Sequence, residues 1–359
     1  MNYKISNSTK TNMQKVQLSF KPKAVSKKLL NALNPRTKEV ITKRYGLADN
    51  ERKTLESIGK EYGITRERVR QIENFALGTI RKSQDYKDHQ NVFEELSQVV
   101  KDMGSVVPED ILMDVFSNDK VVHNHMNFFM TVSDKFNRHK EDDNFNHRWS
   151  IDDKIANHVH DALNNLHQSV NKDELLKEED IIARFLANLI ELGDDYKNNR
   201  DVIDRYMKIS KIISKNPLNE WGHVTSPSVK ARGIKDFAYL ILRQKGSPMH
   251  FRDVANTINK TFNKNAHVAT CHNELIKDKR FVLVGRGMYG LKEWGQVGGT
   301  VKDLINIVLS ENGDKMKKED IVRKVLELRD VKENTVLVNL NNPKLFKKLA
   351  DNNYNVLSK

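Results

Sequence analysis

The sequence predicts a mainly α protein assembled from small units, a four-helix module near the N-terminus followed by tandem units of three helices and a β-hairpin. Three observations carry this expectation. At 359 residues the chain exceeds a typical single domain. Its 38% hydrophobic and 30% charged residues suit several small, polar-surfaced cores better than one large one. Its apolar residues recur at helical spacing in short runs punctuated by Gly, Asn and Pro, with brief alternating segments beside turns.

In chain order, residues 1–25 are polar and rich in Lys, Asn, Ser and Thr without sustained periodicity, which predicts a flexible basic arm. Ser26 is expected to cap a short helix ending at Leu33. Asn34 and Pro35 supply a cap and a first-turn proline for the next helix, TKEVITKRYGL. Asn50 and its charged neighbours end that pattern. Thr54 caps LESIGKEYG, Gly63 closes it, and Thr65 caps a longer helix from Arg66 to Lys82. Residues 26–83 thereby read as an all-helical unit.

The clearest later unit spans 233–295, where IKDFAYLILRQKG, HFRDVANTINKTF and HVATCHNELIKD are three amphipathic helices. FVLVGRGMYGLKEW comes next as two strands around Gly285-Arg286-Gly287. Three helices and a hairpin make a winged helix. The same plan fits 300–358, with a final strand near Tyr354 to Leu357. It also fits 91–150, with a strand pair flanking Glu141-Asp142-Asp143. Residues 151–225 read as a degenerate copy whose ending, SKIISKNPLNEWG, parallels VLVGRGMYGLKEWG. The stretch HVTSPSVKARG is the expected linker.

The net charge of +13 is unevenly placed: residues 1–83 hold 19 basic and 7 acidic side chains, leaving 42 against 41 for the rest. A polyanion-binding surface is therefore expected in the N-terminal quarter, and the near-neutral remainder predicts winged units that bind protein more than DNA. The single cysteine, Cys271, excludes an internal disulfide framework and disfavours a thiolate zinc site. No segment has the apolar run of a signal peptide or a membrane span, so a cytoplasmic, nucleoid-associated protein with no membrane partner is expected.

Other signals are bland. His123-Asn124-His125 abut on one helical segment, which does not suit a nuclease site. His123, His125, His139 and His147 lack a cysteine or carboxylate framework and read as surface histidines. Gly285-x-Gly287 lacks the third glycine and following helix of a dinucleotide site. With no nucleophile, paired carboxylates or phosphate-cradling loop, neither an enzyme, a cofactor nor a small-molecule substrate is expected.

The informative stretch is TLESIGKEYGITRERVRQIENFALGTIRK. Leu55, Ile58, Tyr62, Ile64, Val69, Ile72 and Leu77 are spaced to share one core between two helices. Gly59 permits close approach and Gly63 supplies the turn, which together define a helix-turn-helix. The second helix presents Arg66, Glu67, Arg70 and Gln71 near its N-terminal end, the part that reaches base edges in the major groove. Arg pairs with guanine, Gln with adenine, and Glu accepts from cytosine, each good pair discriminating by about 1–3 kcal/mol.

GITRERVRQIE, preceded by RTKEVITKRYGL, resembles region four of the housekeeping-type bacterial sigma factors. The resemblance covers residues 26–82. It implies that the module reads a −35-like promoter element in double-stranded DNA at initiation and docks on the flap of the RNA polymerase β subunit. It assigns Arg66, Glu67, Arg70 and Gln71 as base readers, and Lys43, Arg44, Thr65, Arg68, Arg81 and Lys82 as phosphate or support contacts. Gly78 departs from the family's basic or helix-favouring residue, at a local cost of up to about 1 kcal/mol. Only the polar arm precedes the module, and no later helix is aromatic enough to capture an unstacked strand. An accessory initiation factor or regulator is therefore expected, with a polymerase-bound adaptor lacking sequence-specific DNA binding as the alternative. A second resemblance lies in FRDVANTI and CHNELIKDKRFVLVGRGMYGLKEWG, which is similar to the HARE winged helix of the delta subunit of Gram-positive RNA polymerase. It implies polymerase association or nucleic-acid-linked recognition without catalysis.

Overall fold

A computed structural model describes residues 15–48, 51–189, 193–295, 298–329, 331–349 and 353–356. The chain forms two compact units, one running to Lys215 and including Glu220–Thr225, the other holding Asn216–Asn219 and the chain from Ser226 onward.

The first unit opens with α1 (Pro22–Leu29), started by Pro22 in its first turn and followed by a 3-10 turn, Leu30–Ala32. Ser26 is therefore inside the helix rather than its cap. It is buried, with its hydroxyl 2.7 Å from Nδ1 of His125. Next come α2 (Pro35–Tyr45), α3 (Leu55–Tyr62) and α4 (Arg66–Lys82). Asn34, Thr54 and Thr65 cap them by accepting from the backbone N–H of Thr37, Ser57 and Arg68. Gly63 ends α3 at φ 63°, where a side chain would be strained. Asn50, expected to break the pattern, and residues 1–14 of the expected arm lie outside the described residues. Residues 15–20 are not a loose arm: Val16 donates its N–H to the Val115 carbonyl (3.0 Å), and Phe20 meets Phe129 edge-on at 6.0 Å. Val16, Leu18 and Phe20 alternate, and each is partly buried against the large core.

The short α5 (Gln84–Asp88) leads into α6 (Gln90–Asp102), β1 (Val106–Pro108), α7 (Glu109–Phe116), α8 (Lys120–Val132), β2 (Asn137–His139) and β3 (Arg148–Ser150). The plan recurs in α9 (Asp153–Ser169), β4 (Leu175–Leu176), α10 (Glu178–Ala187), α11 (Asp194–Lys197), α12 (Arg200–Met207), β5 (Ile213–Lys215) and β6 (Trp221–His223). In the second unit it recurs twice. The first copy comprises α13 (Ile234–Lys245), β7 (Met249–His250), α14 (Phe251–Phe262), α15 (Val268–Lys277), β8 (Phe281–Gly285) and β9 (Met288–Leu291). The other comprises α16 (Val301–Glu311), β10 (Lys315–Lys317), α17 (Lys318–Leu328), α18 (Glu333–Leu340), β11 (Phe346–Lys348) and β12 (Asn353–Val356). Leu357, expected in the last strand, lies outside the described residues. In each sheet the last strand lies between the other two and pairs antiparallel with both. The fold is thus mainly α, a helix-turn-helix module followed by tandem winged helices.

Packing joins the module to the first winged helix. Leu29 and Ile41, with Leu77 and Ile80 of α4, share one core with Phe93, Phe128, Phe129 and Trp149. Every residue of α8 from Asn124 to Met130 is buried. In a winged helix this third helix is the one presented to a DNA groove, but here it is enclosed. Asn124 Nδ2 donates to the Gly46 carbonyl (3.1 Å), and Arg81 Nε donates to that of Val132 (2.6 Å). The third helix of the next copy, α12, is also engaged. Arg205 Nε donates to the Met103 carbonyl (2.9 Å), and the Tyr206 hydroxyl donates to that of Gly104. Gly104 sits at φ 109°, and a Cβ there would come 2.6 Å from Val202. In this unit, then, each third helix packs on the segment before it.

Candidate nucleic-acid interface

The helix-turn-helix has its own small core. Val40, Ile58 and Val69 are fully buried, and Leu55, Tyr62, Ile64 and Ile72 close over them. Leu77, expected in that core, belongs to the larger one, because α4 is long enough to leave the module and enter the neighbouring winged helix. Gly59 is required sterically: a Cβ would lie 2.6 Å from the Ile64 carbonyl. This contact fixes the angle at which α4 leaves the turn.

The first turns of α4 project Arg66, Glu67, Arg68, Arg70 and Gln71, all exposed. Arg70 donates twice to the Glu67 carboxylate (2.8 and 2.6 Å) and holds its pKa below the usual range. Arg68 donates to the Gln71 amide oxygen (3.0 Å). Arg66 has no hydrogen-bond partner among the described residues. Exposed pairs of this kind are weak in water and are readily exchanged for base edges.

The expected support residues are placed differently. Thr65 is used as the cap of α4. Lys43 sits between Glu61, in very close contact, and Glu39 at 2.9 Å, and these hydrogen bonds raise its pKa. Arg44 donates to Glu73 (3.2 Å) and to the Lys53 carbonyl (3.1 Å). Glu73 also accepts from the Tyr45 hydroxyl (2.9 Å), whose pKa is pushed up chiefly by burial. Arg81 is tied to α8 and to Asp134 (3.1 Å), whereas Lys82 is exposed. The readers therefore share one open face, while Lys43, Arg44 and Arg81 hold the module together. Sequence reasoning missed Arg36, exposed in the first turn of α2, which lines a cleft with Asn34, Arg68, Gln71 and Phe75. Its signal was Pro35, which fixes the helix start and so puts Arg36 at its open end.

Two further expectations change. His125 is not a surface histidine but 2% exposed, and burial lowers its pKa. Among the described residues no group of His, Cys, Asp and Glu is arranged to hold a metal ion, and no helix is long and apolar enough to cross a membrane. The near-neutrality beyond residue 83 is also a cancellation. Residues 84–232 carry 19 basic and 27 acidic side chains, whereas 233–295 carry 11 and 5.

A small helix-turn-helix with a polar reading face, followed by winged helices, defines a class of nucleic-acid-binding architecture. Comparison with known proteins narrows this for two segments. Residues 29–82 match the family described as Sigma-70, region 4. Residues 232–294 match the HARE-HTH family, a helix-turn-helix domain described from ASXL and restriction endonuclease proteins. The chain is 48% identical over 65 residues to the RNA polymerase sigma factor SigA of Clostridium acetobutylicum, covering 17% of each chain. It is 50% identical over 54 residues to the principal sigma factor HrdD of Streptomyces coelicolor, 15% of this chain and 16% of that one. It is 52% identical over 63 residues to the sigma factor RpoD of Helicobacter pylori, 17% of this chain and 9% of that one. The chain thus spans about a sixth or less of the length of these relatives. No solved structure matches it.

Proposed function

We propose that this protein acts in transcription initiation, reading a −35-like element of double-stranded promoter DNA through α4 and associating with RNA polymerase. Arg66, Glu67, Arg70 and Gln71 are the base readers. Arg36, Arg68 and Lys82 contact phosphates, and Thr65, Lys43, Arg44 and Arg81 position the reading helix. The observation that carries this reading is the exposed polar face at the start of α4, in a segment matching Sigma-70 region 4. The apolar side of the module is already covered by α6–α8, and Phe75 is 67% exposed, so we assign polymerase contact, at the β flap, to the side bearing Phe75. The domains we assign are 26–83, 91–150, 151–225, 233–295 and 300–358.

In a gel shift with selected duplexes, Arg66→Ala or Gln71→Ala should relax base preference by about 1–3 kcal/mol at one position. Arg36→Ala should weaken all sequences alike and flatten the salt dependence. Identical behaviour of the two classes would remove the direct-readout assignment. The enclosure of α8 and α12 favours a second reading, a polymerase-bound adaptor without sequence-specific DNA binding. Capture of polymerase that survives nuclease treatment, with no enriched DNA site, would select it.

A further inference from the structure

The surface formed by α15, the start of α14 and the β8–β9 hairpin is unlike the reading face of α4. The exposed residues of α15 are Val268, Ala269, Thr270, Asn273, Ile276 and Lys277, with no arginine or glutamine among them. Val268 is 36% and Ile276 61% exposed. Ile276 stands over a groove floored by Phe251, His272 and Leu283, with Arg252 and Arg286 at its rim. The floor is preformed. The Phe251 ring lies 4.4 Å from that of His250 and is stacked on His272 at 4.2 Å. Gly287, at φ 73°, lets the hairpin close on this stack, since a Cβ there would be 2.6 Å from Nε2 of His250.

Arg252 and Arg286 are exposed, and among the described residues neither has a carboxylate partner. Lys277 and Lys279 are also exposed, and the 233–295 segment has a surplus of 6 basic side chains. An apolar floor rimmed by unpaired cations complements a segment whose apolar side chains are flanked by carboxylates. It complements duplex DNA poorly. Ile276, on the helix that would enter a groove, offers no donor or acceptor to a base edge, and a phosphate strand would not bury it. The first unit already uses third helices in this way: α12 buries Val202 and Tyr206 while Arg205 donates at the edge of the contact.

We propose that this face is a docking site for an acidic protein segment carrying apolar anchors. The proposal is independent of DNA reading by α4. It is tested by fluorescence anisotropy on the full chain, using a labelled amphipathic helical peptide with Leu on one face and Glu beside it, a Gln-for-Glu version, a Lys-for-Glu version and a mixed-sequence duplex. The Glu peptide should bind and the Gln version should bind about tenfold more weakly. Ile276→Glu, and the pair Arg252→Glu with Arg286→Glu, should each weaken the Glu peptide about tenfold or more, and the charge-reversed pair should gain the Lys peptide. Arg66→Ala should alter duplex binding and leave the peptide unaffected, which separates this proposal from that for α4. All the substituted side chains are exposed, so circular dichroism should be unchanged. Failure of the Glu peptide to bind, indifference to these substitutions, or loss of duplex binding in Ile276→Glu would each overturn the proposal.

Discussion

Helices α4 and α8 are each the last helix of a small helical core, yet α4 keeps a solvent face and α8 is enclosed. In α4 the buried positions Val69, Glu73, Ala76, Leu77 and Ile80 lie on one side, and Arg66, Glu67, Arg70 and Gln71 on the other. In α8, Met126, Phe128, Phe129 and Met130 leave no polar side over the same length, so the helix has to be covered all round. The architecture delivers a helix to a surface in both cases. Its side chains decide whether that surface is read or packed against.

Substitutions can break or sharpen this contrast. Phe129→Ala should have the largest effect, a loss of about 3–5 kcal/mol, with the helix-turn-helix and first winged helix unfolding in one transition. A separate, unshifted transition for the module in urea would show that α8 does not hold it. Acid should act next, where α9 packs on the first winged helix. Burial, reinforced by Arg148, pushes His160 down to about 3, and burial pushes His167 down to about 4, from an ordinary 6.5. Because the unfolded chain binds these protons more tightly, stability is full above pH 6.5 and falls progressively toward pH 4 and 3. His160→Gln should flatten that slope in denaturation followed against pH. Gly59→Ala should cost about 1–3 kcal/mol through its clash with the Ile64 carbonyl, read as a lowered melting temperature together with weakened duplex binding. Arg66→Ala should be smallest, within about 0.5 kcal/mol of wild-type stability although it changes DNA preference. A larger loss would mean that the outer face of α4 is structural.

Local chemistry was legible in the sequence where it acts locally. Asn34, Thr54, Thr65 and Gly63 punctuate the module as their residue types dictate, and Gly285-Arg286-Gly287 lies at the hairpin of β8 and β9. What escaped depends on partners distant in sequence. Lys43, Arg44 and Arg81 look like free cations until Glu61, Glu73 and the end of α8 are brought to them. The enclosure of α8 was foreshadowed by KVVHNHMNFFMTV, whose apolar residues do not fall on one stripe, but the histidines and asparagines within it suggested a surface. Residues 16–20 were read as an arm because an alternation of only three apolar side chains is too short to register beside the lysines. Averaging charge over residues 84–359 concealed an acidic stretch and a basic one that cancel.

The shared core between the helix-turn-helix and the first winged helix has a mechanical consequence. A head joined by a flexible tether would let its cargo swing around the duplex, whereas a head welded through Leu77, Ile80, Phe128 and Phe129 has no such freedom. If α4 reads DNA as proposed, whatever attaches to the first winged helices is held at one rotational phase about the helix axis. Shifting the recognition element by about five base pairs, half a helical turn, would carry that cargo to the opposite side of the DNA.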